Sequence, residues 1–217
     1  MRLSNIALAI TAIYGAFSPA DLFANGEQGA WYDPTDVNIN WRRNLLEYTE
    51  EFDQGVWIKD GVGTVVTPDQ ALAPNGTMTA DLFTFDPGSS RRVRQSVAVV
   101  SGQKNTFSVY VRSVTGTQQV RLFTGSVAAS SGGSATFTVN DQWQRISVSP
   151  VWSASGNAQF RIDSNDLGGS FYVWGAQVEV GSFPTSYIPT EGSAATRAVD
   201  VVEISGNKFA KTNLIPY

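Results

Sequence analysis

The apolar residues of this chain recur at every second position, in short runs separated by Gly, Pro, Asn and Asp. That spacing is the side-chain repeat of a half-buried β-strand. The longest run is 171–180, FYVWGAQVEV; Tyr172, Trp174, Ala176, Val178 and Val180 are expected on one face, Gln177 and Glu179 on the other. Residues 105–112 alternate as well, with Phe107, Val109 and Val111 opposite Ser108, Tyr110 and Arg112. In 118–124, Val120 and Leu122 are expected inward and Arg121 and Phe123 outward. In 158–163, Phe160 and Ile162 are expected inward and Arg161 outward. Further strands are expected at 63–66, 77–84, 91–100, 135–139 and 142–149, the last two as a hairpin across Asn140-Asp141. Turns are expected at Pro68, at Pro74-Asn75-Gly76 and at Asp86-Pro87-Gly88, where Pro and Gly favour chain reversal. No stretch of this region keeps an apolar period of 3.6, so the crossover helices of a parallel α/β fold are missing. The expected fold is all-β: an antiparallel β-sandwich or jelly roll.

Composition narrows the chemistry. Charged residues make up 16% of the 217 positions and the formal net charge is −4, which argues against a nucleic-acid binder. Arg42-Arg43, and Arg91-Arg92 with Arg94, read as solvated loop charges. The sequence contains neither Cys nor His. Disulfides, zinc sites built on Cys and Ser-His-Asp triads are therefore excluded. No cofactor is expected.

The two ends read differently from the middle. Residues 1–17 are apolar with one charge, Arg2, and are too short and interrupted to span a bilayer comfortably. They read as an assembly arm or as a short secretory signal. Ser18, Pro19 and Asp21 suit a helix start and Asn25-Gly26 a stop, so a helix of about two turns is expected between them. Ile6, Leu8, Ile10, Phe17, Leu22, Phe23, Trp31 and Tyr32 are the expected anchors of this arm. Pro184 and Pro189 hold the segment between them extended, with Phe183, Tyr187 and Ile188 as anchors onto a sheet. One further strand is expected at 200–204, in a tail that ends with Phe209, Leu214, Ile215 and Tyr217 as apolar anchors.

The run WGAQVEVGSFPTSYIPTEGSAATRAVD, 174–200, resembles the closing motif of lectin-like jelly-roll domains in virion proteins of tailed bacteriophages. LFANGEQGAWYDPTD, 22–36, is similar to a connecting peptide of phage structural proteins. Asn44-Leu45-Leu46, followed by Phe52 and Trp57, resembles the opening of such domains, and QWQRISV at 142–148 resembles strands of carbohydrate-binding-module-like sandwiches. The resemblance implies an N-terminal arm with short helices at 1–43, a sandwich at 44–190 and an extended docking tail at 191–217. It further implies a non-enzymatic fibre, decoration or tail-associated protein, assembled in the host cytoplasm onto other virion proteins. A homo-oligomer is implied too, with a trimer as the commonest format.

Candidate sites follow from residue type and facing. Glu47, Glu50, Glu51, Asp53, Asp163, Asp166, Glu179 and Asp200 are the carboxylates to weigh for glycoside hydrolysis, and their spacing aims no two at a shared site. No catalytic residue is assigned. Glu47, Glu50 and Asp200 would suit a hard cation, but no calcium-loop run is present and no metal site is assigned. Sugar binding needs aromatic platforms and planar polar groups. Tyr110, Arg112, Arg121, Phe123 and Arg161 supply these if their strands neighbour one another, with Trp152 at the rim. A host surface glycan is the ligand this set would take. Ordinary ion pairing, or burial in a trimer contact, is the other reading of the same side chains. Trp57, Trp143 and Trp174 are expected in the core.

Overall fold

The computed structural model describes residues 41–88, 91–125 and 132–198. The eight arm anchors, the helix expected after Ser18 and the strand expected at 200–204 lie outside them. Twelve strands are described: β1 Trp41–Asn44, β2 Ile58–Asp60, β3 Thr64–Ala71, β4 Ala80–Phe85, β5 Arg92–Val99, β6 Asn105–Ser113, β7 Gln118–Gly125, β8 Ser134–Val139, β9 Gln144–Val148, β10 Gly156–Asp163, β11 Gly169–Val180 and β12 Ala195–Ala198. Ten form two five-stranded antiparallel sheets, β2-β5-β10-β7-β8 and β3-β4-β11-β6-β9. Eight of these strands, β4 to β11, follow the order of a jelly roll, the fold class expected: the chain changes sheet at every step except the β7–β8 hairpin. β1 pairs antiparallel with β12 as a separate ribbon, Trp41 opposite Ala198 and Asn44 opposite Ala195. β1 overlaps the end of the segment expected as an arm, and β12 lies in the segment expected as a tail.

The inward faces make one core. Phe107, Val109, Val111, Val120, Leu122, Phe160 and Ile162 are all fully buried, as their alternation requires. Phe52 packs on Trp57 at 4.8 Å and on Phe83 at 5.2 Å, and Phe107 packs edge-on to Phe160 at 5.6 Å. Each such side chain contributes roughly 1.5–3 kcal/mol by leaving water.

Three expectations are corrected. β8 and β9 do not form a hairpin: β8 pairs with β7 and β9 with β6, so Asn140-Asp141 carries the chain from one sheet to the other. Pro68 does not end a strand. It lies within β3, an edge strand of its sheet, where the missing N–H is tolerated, and the ladder shifts register between Thr67 and Ala71. In β11 the alternation is broken by a bulge between Trp174 and Gln177. Gly175 has φ 64° there, so the two halves of the strand present opposite parities. Phe171, Val173, Ala176 and Val178 face the core, while Tyr172 and Trp174 face outward with Gln177 and Glu179. A Cβ at Gly175 would meet Tyr110 at 3.3 Å and Tyr187 at 3.4 Å, in a backbone region that L-residues enter at a cost. Gly175→Ala should destabilise the domain by about 1–2 kcal/mol, read as a shift of the urea midpoint.

The segment after β11 folds back over that outward face. The Glu179 carboxylate, fully buried, accepts from the Thr185 N–H at 2.8 Å and the Thr185 hydroxyl at 2.7 Å. The Ile188 N–H donates to the Gln177 side-chain oxygen at 2.8 Å. Tyr187 lies against Trp174 at 4.6 Å and shares a 2.7 Å hydrogen bond with the Thr49 hydroxyl; burial pushes its phenol above the ordinary value. Tyr187 and Ile188 are anchors as expected. Phe183 is not: it is 61% exposed, 6.0 Å from the Arg42 guanidinium.

Asp81 ties the loop at Phe52 and the edge strand β3 to β4. Its carboxylate oxygens accept the Phe52 N–H at 2.8 Å and the Asp69 N–H at 3.1 Å. Burial, helped by the charges of Asp53 and Asp69, raises its pKa to about 7. Between its unfolded pKa of about 4 and its folded value the native state holds a proton that the unfolded chain has released. The stability from this group is therefore full below about pH 4 and is lost as the pH rises through about 7. Urea midpoints should fall from pH 5 to pH 8 by an amount equivalent to about 2 kcal/mol, and Asp81→Asn should flatten that slope.

Candidate functional site

The outer faces of the two sheets differ in what covers them. On the β3-β4-β11-β6-β9 sheet, Trp174, Tyr110, Tyr172, Trp143 and Tyr187 cluster over Ala71, Ala73 and Ala80. The Arg112 guanidinium sits 4.4 Å from the Tyr172 ring centre and 5.4 Å from that of Trp143. The Arg145 guanidinium lies 5.2 Å from the Tyr110 ring centre and donates to the Ser108 hydroxyl and the Thr185 carbonyl. Trp143 Nε1 donates to the Leu72 carbonyl at 3.1 Å, and Trp174 Nε1 to the Thr79 hydroxyl at 3.1 Å. Most of this chemistry is spent internally, and the 181–190 segment occupies one end of the face.

The outer face of the β2-β5-β10-β7-β8 sheet carries a cross-strand row centred on two arginines and a phenylalanine. Register places Ile58 opposite Arg94, Arg94 opposite Arg161, Arg161 opposite Phe123, and Phe123 opposite Ser134. The Arg161 guanidinium lies 4.5 Å from the Phe123 ring centre and its Nε donates to Gln159 Oε1 at 2.9 Å. Arg92 and Arg94 both donate through Nε to Asp60 Oδ2, at 2.8 Å and 2.6 Å. Arg121 pairs with Asp163 at 2.9 Å and reaches Asp166 at 3.5 Å. The partners of Arg92, Arg94 and Arg161 all come from this sheet, and apart from Arg94 Nη2 on Asp60 Oδ1 at 3.4 Å their terminal guanidinium nitrogens make no hydrogen bond among the described residues. Burial and the nearby Arg92 and Arg94 charges lower the Arg161 pKa. Burial alone would raise the Asp60 carboxyl, but hydrogen bonds and charges from Arg94 and Arg92 outweigh it and hold it below the usual value.

The six residues expected to line one groove are thus separated. Tyr110 and Arg112 project from β6 on one face; Arg121, Phe123 and Arg161 project from β7 and β10 on the other. Trp152 is at neither: it is 1% exposed, packs on Phe160 at 6.0 Å and donates through Nε1 to Asn105 Oδ1 at 3.0 Å. Trp57 is a core residue as expected, whereas Trp143 and Trp174 belong to the outer cluster. Arg92 and Arg94 are not loop charges. Both lie in β5, where their i, i+2 spacing was the available sign of a shared face.

Among the described residues no three His, Cys, Asp or Glu side chains stand close enough to hold a metal ion, and Asp200 lies outside them. Among the same residues no helix is long and apolar enough to cross a membrane.

No family model and no curated protein matches the chain. Solved structures do. The N-terminal CBM22-1–CBM22-2 tandem domain of Xyn10C from Paenibacillus barcinonensis superposes with a TM-score of 0.51 at 16% identity, over 66% of this chain and 46% of that one. The CBM22-1–GH10 modules of xylanase 10B from Clostridium thermocellum, complexed with xylohexaose, give 0.50 at 19% identity, over 63% and 28%. The enzymatically active domain of bacteriophage CBA120 tailspike protein 4 gives 0.47 at 10% identity over 64% and 21%, too slight a likeness to argue from. The chain spans less than half the length of each of these structures. At these identities what is shared is the jelly-roll fold.

Proposed function

We propose that this chain is a non-enzymatic virion protein whose jelly roll binds a surface glycan through the outer face of the β2-β5-β10-β7-β8 sheet. One observation carries the glycan reading: the row Arg94–Arg161–Phe123, with unspent guanidinium donors beside an aromatic ring on an open sheet face. Sugar hydroxyls take paired planar donors, and the apolar side of a sugar ring takes an aromatic neighbour. The opposite face has more aromatic rings but fewer free donors. The fold shared with modules named for carbohydrate binding supports the same reading. The virion assignment draws on the phage-like wording of residues 174–200 and on the apolar residues before position 40, which would dock onto other virion proteins. Repetition around an oligomer axis would multiply a weak single-site affinity.

A glycan array and titration calorimetry test the binding. The full chain should retain a glycan with micromolar to millimolar affinity, and Phe123→Ala should weaken it by about tenfold with an unchanged melting temperature. Failure to retain any glycan would overturn the reading. Deleting residues 1–40 tests docking: the sandwich should fold and bind glycan but no longer join particles.

A further inference from the structure

The outer face of the β2-β5-β10-β7-β8 sheet is unevenly charged. Arg121 is matched by Asp163 and Asp166. Asp60 alone is left to balance Arg92, Arg94 and Arg161, and it contacts the first two. Arg161 stands directly across the ladder from Arg94, yet its own hydrogen bond goes to the neutral Gln159. The charged groups that Arg161 feels most are Arg92, Arg94, Asp60 and Asp163, and Asp163 is already committed to Arg121. Three guanidinium groups therefore share one carboxylate while Arg121 faces two, so the four arginines of this face exceed its three carboxylates by one positive charge, on a chain whose formal net charge is −4.

Like charges held side by side on partly buried side chains raise the energy of the face until an anion joins them. Guanidinium forks are the groups that meet carboxylate or sulfate oxygens two at a time. The aromatic neighbour selects what carries the anion. A free inorganic ion gains nothing from Phe123, whereas a sugar ring bearing an acidic group can lie against the Phe123–Arg161 stack while its oxygens reach the guanidinium row. We infer that the ligand of this face is an acidic saccharide, its carboxylate or sulfate held by Arg161 with Arg94 and Arg92. The inference rests on the glycan reading of the same face and names the class of glycan.

The test uses the full chain and paired probes that differ in charge alone: an oligouronate against its methyl ester, and a sialylated oligosaccharide against its reduced-carboxyl form. At about 50 mM salt one acidic member should bind at least about tenfold more tightly than its neutral counterpart, and that preference should shrink at about 0.5 M salt. Arg161→Gln should lose about tenfold in acidic-saccharide affinity with its melting temperature unchanged. Arg161→Lys, which keeps the charge but not the fork, should lose less. Arg43→Gln, on the exposed side of β1, should lose nothing. Equal binding of charged and neutral partners, unaffected by Arg161→Gln, would overturn the acidic assignment and leave the glycan reading standing. Binding of inorganic sulfate or duplex DNA as tightly as the acidic saccharide would overturn it in favour of a general anion patch. Binding of no saccharide at all would remove both readings together.

Discussion

Replacing Trp152 with alanine should lower the stability of the domain by about 4 kcal/mol, in the range seen when a fully buried aromatic is truncated. The indole packs in the core on Phe160, and its Nε1–H is the donor to Asn105 Oδ1 in a buried pair. Removing it opens a large cavity and leaves Asn105 without that partner. For a domain of this size the melting temperature should drop by about 12 °C, with the denaturant slope unchanged. A ligand-contacting tryptophan would behave in the opposite way, losing affinity at constant stability. Saccharide affinity of Trp152→Ala, measured well below its melting point, should therefore stay within about twofold of the parent. A large loss of affinity at unchanged stability would restore Trp152 to the rim of a binding site.

Asn44→Ala should destabilise the domain by about 3–5 kcal/mol without removing any apolar contact of note. The Asn44 side chain is fully buried and makes four hydrogen bonds to backbone. Its Nδ2 donates to the Ala176 carbonyl at 3.0 Å and the Ile188 carbonyl at 2.9 Å. Its Oδ1 accepts from the Val178 N–H at 3.1 Å and the Leu46 N–H at 3.3 Å. The side chain thus acts as a missing strand residue beside β11, past the point where β4 stops pairing with it at Val173. Alanine leaves those backbone groups buried and unpaired, at roughly 1–3 kcal/mol each before relaxation. Asn44→Asp should be no better, because a second oxygen would face two carbonyl oxygens. Urea unfolding of both variants checks this, and a loss under about 1 kcal/mol for alanine would show that water or the chain itself refills the site.

These two residues mark how far a sequence of this kind can be read. Period-two alternation told which side chains of β6, β7 and β10 point inward, and each of those assignments matches the burial found. Alternation carries no label for the sheet, since both inner faces are written in the same Val, Phe and Ile. Tyr110 and Arg121 therefore looked like neighbours although β6 and β7 lie in different sheets, and β8 and β9 looked like a hairpin although the chain crosses between sheets there. The bulge in β11 moved Tyr172 and Trp174 to the outside by adding one residue. Its only local sign was a glycine in mid-strand, a recognised cue for a bulge. Trp174 was assigned inward with the apolar side of its strand, and Trp143 with a motif resembling core strands of such sandwiches; neither sign sees a second apolar layer on an outer face. The guanidinium row was half visible: Arg161 was placed outward, but Arg92 and Arg94 were read as solvated loop charges although a strand was expected at 91–100.

Asn44 joins partners far apart in the chain, reaching Ala176 and Ile188 across separations of 132 and 144 residues, while Glu179 and Gln177 reach forward to Thr185 and Ile188. The bonds to Thr185 and Ile188 cannot form on a ribosome until the 181–190 segment has cleared the exit tunnel. A nascent sandwich would hold the Asn44 amide without its distant partners for most of its synthesis, and cooperative locking would await the last tenth or so of the domain. Stop codons or cleavage just ahead of Pro184 should therefore yield not a slightly shorter domain but one that never latches.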